Sequence, residues 1–227
     1  MILILKYEYL IIIIVSGVIG SFIALVEYRL SNHQSIVSPR SHCDNCNYSL
    51  KWFDLIPVIS YILLSGKCRK CNYSINISFL LTEIFTIISI TMVYSFTLNI
   101  RYIPFLFILI FLSVQDFKNK FVSLYSIIIL LAASLLIHFS IINLFTVLLI
   151  YVFIHLLNKK FHFIGMADID VLSICALAFN VNQLIYIMFL SSSICLIYFV
   201  LIKRKSKTIP FIPFIFIGTV ISLCIQK

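Results

Sequence analysis

Eight apolar runs, each long enough to cross or nearly cross a bilayer, constrain this chain more than any other feature. They lie at roughly 8–27, 79–99, 101–117, 121–139, 141–158, 166–180, 183–202 and 209–226. Hydrophobic residues make up 62% of the 227 residues and charged residues only 11%, whereas a soluble domain is about half apolar and about a quarter charged. The sequence therefore predicts an all-α polytopic membrane protein with about eight transmembrane helices.

The basic residues predict how these helices are oriented. Fourteen of the 17 Lys and Arg residues fall on one side of the arrangement, and Lys6, Arg101 and Lys227 fall on the other. Because basic loops stay in the cytoplasm, we expect a multi-pass membrane protein with its N-terminus outside. The first run lacks a clear basic region and a small-residue cleavage site, so it is expected to be a retained span rather than a signal peptide.

One long polar stretch, residues 28–78, interrupts the apolar sequence and is predicted to be cytoplasmic. We therefore divide the chain into a first transmembrane helix (1–27), this loop (28–78) and a transmembrane core (79–227). No internal repeat is apparent, and Gly17 and Gly20 are expected to allow close helix packing.

The polar stretch contains two Cys-x-x-Cys pairs separated by 21 residues. Two such pairs are typical of one tetrahedral zinc site, because each pair forms a tight turn that directs two thiolates at one point. Disulfides or a redox pair are the alternative, although a reducing cytoplasm favours zinc thiolates. The predicted metal ligands are Cys43, Cys46, Cys68 and Cys71.

Four acids are predicted near the cytoplasmic ends of their helices: Glu27, Glu83, Asp116 and Asp168. Ionisable groups at membrane depth are costly and are therefore functional candidates. Each has an ordinary alternative, a helix-end acid that reaches water or, for Asp168, a helix cap. Small residues surround Asp168, which would let an extended substrate approach. Two paired carboxyls can act as general base and general acid on a peptide bond.

Several motifs resemble those of the type IV prepilin peptidase family, a group of membrane aspartyl proteases. Gly-Ser-Phe at 20–22 and Tyr-Arg-Leu at 28–30 resemble the family's opening motif, and the block at 43–83 is similar throughout. Asp116 corresponds to the first catalytic aspartate, and Gly-x-Ala-Asp at 165–168 resembles the Gly-x-Gly-Asp motif that holds the second. Residues 209–214 resemble the family's Pro-Phe-x-Pro-Phe signature.

This resemblance implies an aspartyl endopeptidase that cuts the short leader from prepilin or pseudopilin precursors at the cytoplasmic face. Asp116 and Asp168 would be catalytic, zinc would be a structural cofactor of the cysteine loop, and the bilayer would be the other partner. Many members also methylate the new N-terminus with S-adenosylmethionine. No glycine-rich fingerprint for that cofactor is present, so its use here is implied by the resemblance alone.

The chain departs from the family pattern at four places. Ala167 replaces a glycine, Asp170 stands where lysine is common, Val122-Ser123 replaces Pro-Asp, and Leu30 is not followed by proline. None of these changes removes a catalytic carboxylate. The compact Ile-, Lys- and Asn-rich chain looks like the late competence peptidases that serve DNA uptake in Gram-positive bacteria, and this step is an analogy.

Two other function classes are weaker alternatives. A transporter or channel would place its acids nearer the bilayer midplane and show matched halves with interrupted helices, whereas here the acids cluster at one face. A membrane-tethered zinc module could bind nucleic acid through Arg69 and Lys70. The loop lacks a dense basic stripe, so no nucleic-acid partner is expected.

Overall fold

The computed structural model describes residues 2–137, 140–161, 165–202 and 209–225. Within these ranges the chain forms helices and irregular loops, without a β-strand. The helices are α1 (Ile2–Ser31), α2 (Ile59–Leu63), α3 (Ile77–Thr97), α4 (Tyr102–Asn119), α5 (Leu124–Leu135), α6 (Ile141–Phe161), α7 (Met166–Ala178), α8 (Val181–Ile202) and α9 (Ile212–Ile225). A short 3-10 turn, Trp52–Leu55, precedes α2. Each predicted apolar run thus corresponds to one helix.

Four of the described helices are long and apolar enough to cross a membrane, judged by length and composition. They are Tyr7–Ser31 within α1, Ile77–Thr97, Tyr102–Asn119 and Val181–Leu201 within α8. Three shorter apolar helices accompany them, at Leu124–Leu135, Leu144–Leu156 and Ile212–Ile225. The predicted fold class, an all-helical membrane protein with several spans, is confirmed.

The chain forms two compact units, residues 1–92 and 93–227, and their boundary falls inside α3. The predicted division at 27/28 and 78/79 concerns the membrane topology, and it stays a prediction. The basic residues Lys203, Arg204, Lys205 and Lys207, which supported the predicted orientation, lie outside the described residues.

In the first unit, α1 and α3 approach closely at Gly20. A Cβ atom added there would lie 3.0 Å from the Thr86 Cβ and 3.2 Å from the Glu83 Cα. A larger residue would push the two helices apart, so the expected role of this glycine in close packing is confirmed.

In the second unit, α4 forms the centre of the core. Phe105, Leu106, Leu109 and Leu112 are fully buried, and α4 contacts α5 and α9. Helix α7 packs against α5 and α6, and α8 packs against α9. These contacts bring the C-terminal end of α4 and the start of α9, which are far apart in sequence, to the same place.

Candidate active site and metal centre

The cysteine loop folds into two matching turns, which we call the first knuckle (residues 43–49) and the second knuckle (residues 68–74). In both, the N–H of the first cysteine donates to the carbonyl of the knuckle tyrosine, at 3.0 and 2.8 Å. Asn47 and Asn72 have φ angles of 53° and 56°, a left-handed conformation that asparagine tolerates better than most residues. Each knuckle therefore folds back on itself and presents two thiols on one side.

The match extends to the sequence, where both knuckles read Cys-x-x-Cys-Asn-Tyr-Ser. The expectation that the chain has no internal repeat is therefore wrong for this loop. The Asn-Tyr-Ser continuation was the available signal, because the asparagine has to adopt the left-handed conformation and the tyrosine carbonyl has to close the turn.

The four sulfur atoms are arranged as ligands of a single ion. The Sγ atoms of Cys43 and Cys71 are 3.6 Å apart, those of Cys46 and Cys68 are 3.9 Å apart, and all four lie within 4.8 Å of one another. A tetrahedral zinc with Zn–S bonds of about 2.3 Å needs sulfurs about 3.8 Å apart. A disulfide would need about 2.05 Å. The cluster thus fits a metal ion, and its four thiols are free.

The surroundings of two of these thiols shift their pKa values in opposite directions. The backbone N–H of Tyr73 stabilises the Cys71 thiolate and lowers its pKa to about 6. At Cys46 the backbone N–H of Tyr48 acts in the same direction, but desolvation and hydrogen bonds with the other three cysteines outweigh it and raise the pKa to about 11. The Cys71 thiol thus loses its proton more readily than the Cys46 thiol, and a divalent cation would displace the protons that the thiols carry.

A buried ion pair connects the second knuckle to the 3-10 turn. The Asp54 side chain is only 1% exposed and accepts hydrogen bonds from Arg69 Nε at 3.0 Å and from the Lys51 N–H at 3.2 Å, and Arg69 Nη2 lies 2.9 Å from the same carboxylate. The Arg69 guanidinium also lies over the Phe53 ring, 4.9 Å from its centre. Arg69 therefore neutralises a charge that is shielded from water.

Arg69→Ala is expected to lower the free energy of unfolding by about 1–3 kcal/mol, because the Asp54 carboxylate would keep a single backbone donor in a buried position. Thermal unfolding followed by the fluorescence of Trp52, the single tryptophan, measures this loss. Lys70→Ala, at the exposed neighbouring position, is the matched control. Equal effects of the two substitutions would contradict the assigned role of Arg69.

Asp116 lies in the last turn of α4 and is 9% exposed. The backbone N–H of Ile212, the first residue of α9, donates to its Oδ2 atom at 3.1 Å. These two residues are 96 positions apart in the sequence. The start of α9 thus holds the carboxylate in a fixed orientation.

Asp168 is the third residue of α7, and its side chain is half-buried. A Cβ atom at Gly165 would lie 2.7 Å from the Asp168 Oδ2, so a larger residue there would make the carboxyl group move from its present position. The Asp116 charge acts directly on Asp168. The structure therefore brings these two carboxyls within electrostatic range of each other.

Asp170 belongs to a different face of α7, as expected from a step of about 200° around the helix. Its Oδ1 atom accepts a hydrogen bond from the Tyr151 hydroxyl of α6 at 2.9 Å. Glu27 and Glu83, the other two candidate acids, belong to the first unit.

The first unit contains a cavity of about 780 Å³, a size typical of small-molecule sites. The rings of Phe22, Tyr28 and Phe79 and the carboxylates of Asp44 and Glu83 contribute to its wall. Asp44 accepts a hydrogen bond from the Tyr28 hydroxyl at 3.0 Å. The wall thus combines aromatic faces and acids with two arginines, Arg29 and Arg69, and this cavity was not predicted from the sequence.

Two family models match consecutive parts of the chain. The bacterial Peptidase A24 N-terminal domain matches residues 14–97, and the type IV leader peptidase family matches residues 103–200. The prepilin leader peptidase/N-methyltransferase of Vibrio cholerae serotype O1 is 34% identical over 238 residues, which cover 92% of this chain and 92% of that relative. The chain belongs to the type IV leader peptidase family.

Other members of the family align over shorter stretches. The prepilin leader peptidase/N-methyltransferase of Myxococcus xanthus is 40% identical over 68 residues, 30% of this chain and 20% of the relative. That of Bacillus subtilis is 35% identical over 69 residues, 30% of this chain and 28% of the relative. No solved structure gives a significant match. The family identified from the motifs is thus confirmed.

Sequence analysis missed three residues that surround the family motifs. Ile212 orients Asp116, Val58 donates its N–H to Glu83 at 2.7 Å, and Tyr151 binds Asp170. Two of these interactions use a backbone N–H, which leaves no signal in the side chain. Ile212 and Val58 lay within motifs, the proline-rich signature and the block at 43–83, but neither motif showed what these residues contact.

Proposed function

We propose that this chain is a membrane-embedded aspartyl endopeptidase that removes the leader from prepilin or pseudopilin precursors, with Asp116 and Asp168 as its catalytic carboxyls. The observation that supports it is the electrostatic proximity of these two groups, in a chain whose relatives are named prepilin leader peptidases. The predicted topology places both carboxyls near the cytoplasmic face of a bacterial plasma membrane, where a leader would be accessible.

In this mechanism a water molecule lies between the two carboxyl groups. The ionised carboxylate takes a proton from the water, whose oxygen attacks the carbonyl carbon of the scissile peptide bond. The other carboxyl donates its proton to the carbonyl oxygen and gives a tetrahedral diol. Collapse of the diol breaks the C–N bond, and a proton passes to the departing amine. Half-burial at Asp168 and near-burial at Asp116 exclude most other water from the site.

Co-expression with candidate pilin precursors tests the proposal directly. We expect the precursor to gain mobility on a gel and to lose its leader by mass spectrometry. Precursors encoded near this chain's own gene are the first choice. A precursor that keeps its leader in the presence of correctly inserted enzyme would contradict the proposal.

Zinc is the proposed occupant of the cysteine cluster, and its role is structural. The sulfur spacing and the tetrahedral preference of zinc support it. A loop of about fifty residues has a small core, so a metal that binds both knuckles would contribute directly to its folding. No chemical step of the peptidase uses this ion.

N-methylation is the second proposed activity, and the cavity of the first unit supports it. The relatives are also named N-methyltransferases, and S-adenosylmethionine would supply the methyl group. A sulfonium cation is attracted to carboxylates and to aromatic faces. Asp44, Glu83 and the Tyr28 ring offer both, and the cavity volume is sufficient for a ligand of this size.

Glu83→Gln is expected to weaken S-adenosylmethionine binding and to reduce methylation, while leader cleavage continues. Glutamine keeps an oxygen for the Val58 N–H but removes the negative charge. Calorimetry with S-adenosylmethionine measures binding, and mass spectrometry of the mature pilin N-terminus detects the added methyl group. Thr82→Ser, one position earlier on α3, is a conservative control. Unchanged binding by Glu83→Gln would exclude this cavity as the methyl-donor site.

A further inference from the structure

Part of the cysteine loop packs against α1 and α3, although Asp54 and Arg69 connect its start to the second knuckle. Residues 52–64 run from the 3-10 turn through α2, and Lys51 and Lys67 flank them on either side. Their only charged side chain is Asp54, which is paired with Arg69. The polarity of residues 28–78 predicted that the whole loop is cytoplasmic. Residues 57 and 58, however, contact the membrane-spanning helices α1 and α3.

The tip of the segment contacts helix α1 far from the end of that helix. A Cβ atom added at Gly17 would lie 3.2 Å from the Pro57 Cβ and 3.2 Å from the Ile87 Cδ1. Gly17 is 10 residues before residue 27, where the predicted first span ends, which corresponds to about 15 Å along the helix. A bilayer's hydrocarbon core is about 30 Å thick. Pro57 therefore lies at the level of the interior of a membrane-spanning helix.

The second contact is made with α3. The Val58 N–H donates to the Glu83 Oε2 at 2.7 Å, and Glu83 is six residues inside α3, about 9 Å from its start. Val58 has φ 61° and ψ −49°. This conformation is strained for a β-branched residue and persists only where the surroundings impose it. The hydrogen bond to Glu83 thus holds the chain reversal at Val58 beside α3, about 9 Å along that helix from its start.

The backbone at the tip is satisfied without water, as the hydrocarbon region requires. Pro57 has no N–H, and the Val58 N–H is bound by Glu83. The Ile59 N–H donates to the Pro57 carbonyl at 2.6 Å, and the Ser60 N–H donates to the Ile56 carbonyl at 3.1 Å. Every backbone donor at the reversal therefore has a protein acceptor.

The outer side of the segment is apolar and uncovered within the described residues. Ile59, Ile62 and Leu63 are 55%, 64% and 78% exposed. Helix α1 also exposes apolar side chains near the same level, Ile14 and Val15, which do not belong to the cavity wall. Soluble proteins rarely leave large apolar patches uncovered, whereas acyl chains cover them in a membrane.

We infer that residues 52–64 form a re-entrant segment that enters the bilayer beside α1 and α3 and turns at Pro57-Val58, with the side chains of Ile59, Ile62 and Leu63 in contact with lipid acyl chains. Trp52 and the two flanking lysines then lie at the interface, where tryptophan and lysine side chains are stable. This inference concerns the first unit alone, and it does not depend on the proposed peptidase activity.

The single tryptophan of the chain provides the test. The full-length protein is reconstituted into phosphatidylcholine vesicles whose acyl chains carry bromine atoms either near the headgroup or near the chain end. The emission of native Trp52 is expected to be quenched more strongly by bromines near the headgroup than by bromines near the chain end. In a Trp52→Phe background, Ile59→Trp is expected to emit at shorter wavelength and to lose most emission with the deep bromines.

Val37→Trp in the same background is the matched control, because Val37 is 91% exposed in the polar part of the same loop. It should emit at the wavelength of a hydrated indole and keep its intensity in both vesicle types. Ile62→Trp replaces Ile59→Trp if the latter does not fold. An introduced tryptophan at 59 or 62 that behaves like the one at 37, or that is quenched only by shallow bromines, would overturn the inference.

Discussion

Replacing either Asp116 or Asp168 with asparagine is expected to abolish processing of a prepilin precursor. Asparagine has nearly the same shape and still offers an oxygen to the Ile212 N–H, but it can neither take nor give the catalytic proton. General acid–base catalysis typically contributes about 10²–10⁴-fold to a rate, so each variant should lose at least that much activity. The rate of leader removal in reconstituted vesicles measures the loss.

Two further variants make this experiment specific. Asp170→Asn is the matched control. It makes the same change two residues after Asp168, in a carboxylate that accepts a hydrogen bond from the Tyr151 hydroxyl. It should cleave at a rate close to that of the unmodified enzyme. The double variant of Asp116 and Asp168 should be little slower than either single variant, because the two groups act as one unit. Near-normal cleavage by either single variant in folded form would disprove the assignment.

Replacing one cysteine of the cluster with serine is expected to remove the bound metal. Cys71→Ser leaves three thiolates and weakens a site whose free energy of binding in zinc-finger peptides is about 10–16 kcal/mol. Because that energy also stabilises the loop, both knuckles should become sensitive to proteases. The zinc content per chain, measured by elemental analysis, should fall from about one ion to nearly none.

Cys195→Ser and Cys224→Ser are the matched controls, since these cysteines lie in α8 and α9, away from the cluster in the sequence. They should retain the metal and the protease resistance of the loop. A full complement of zinc in Cys71→Ser, or its loss in the control variants, would show that the ion is bound elsewhere.

The sequence predicted the helices well because apolar runs are a direct physical requirement of a bilayer. Asp116 and Asp168 were singled out because an aspartate at a helix end inside the membrane is conspicuous, and their catalytic role stays a prediction. Their proximity could not be predicted, because it depends on how α4, α5 and α7 pack rather than on any local spacing. The hydrogen bond between the Ile212 N–H and Asp116 could not be predicted either, because it depends on how α4 packs against α9.

Residues 52–64 show a different limit of sequence analysis. Their apolar side chains are visible in the sequence, but Asp54 and Pro57 interrupt them and the segment is too short to span a membrane. A charge at Asp54 argues against a location in the membrane, but the structure shows that Arg69 neutralises it. Likewise, the proline is compatible with membrane depth because Glu83 binds the N–H that follows it.

The hydrogen bond between Ile212 and Asp116 has a genetic consequence. The donor is a main-chain amide, so a change at position 212 removes it outright only when the new residue is proline, which has no N–H. The Ile212 side chain is fully buried, so a replacement has to be apolar and of similar size to leave the amide in place. Proline is already present at position 210, just before α9, and at position 213, in its first turn, and neither removes the donor. The orientation of Asp116 thus depends on the main chain at the start of α9 and on the apolar side chain that anchors it there.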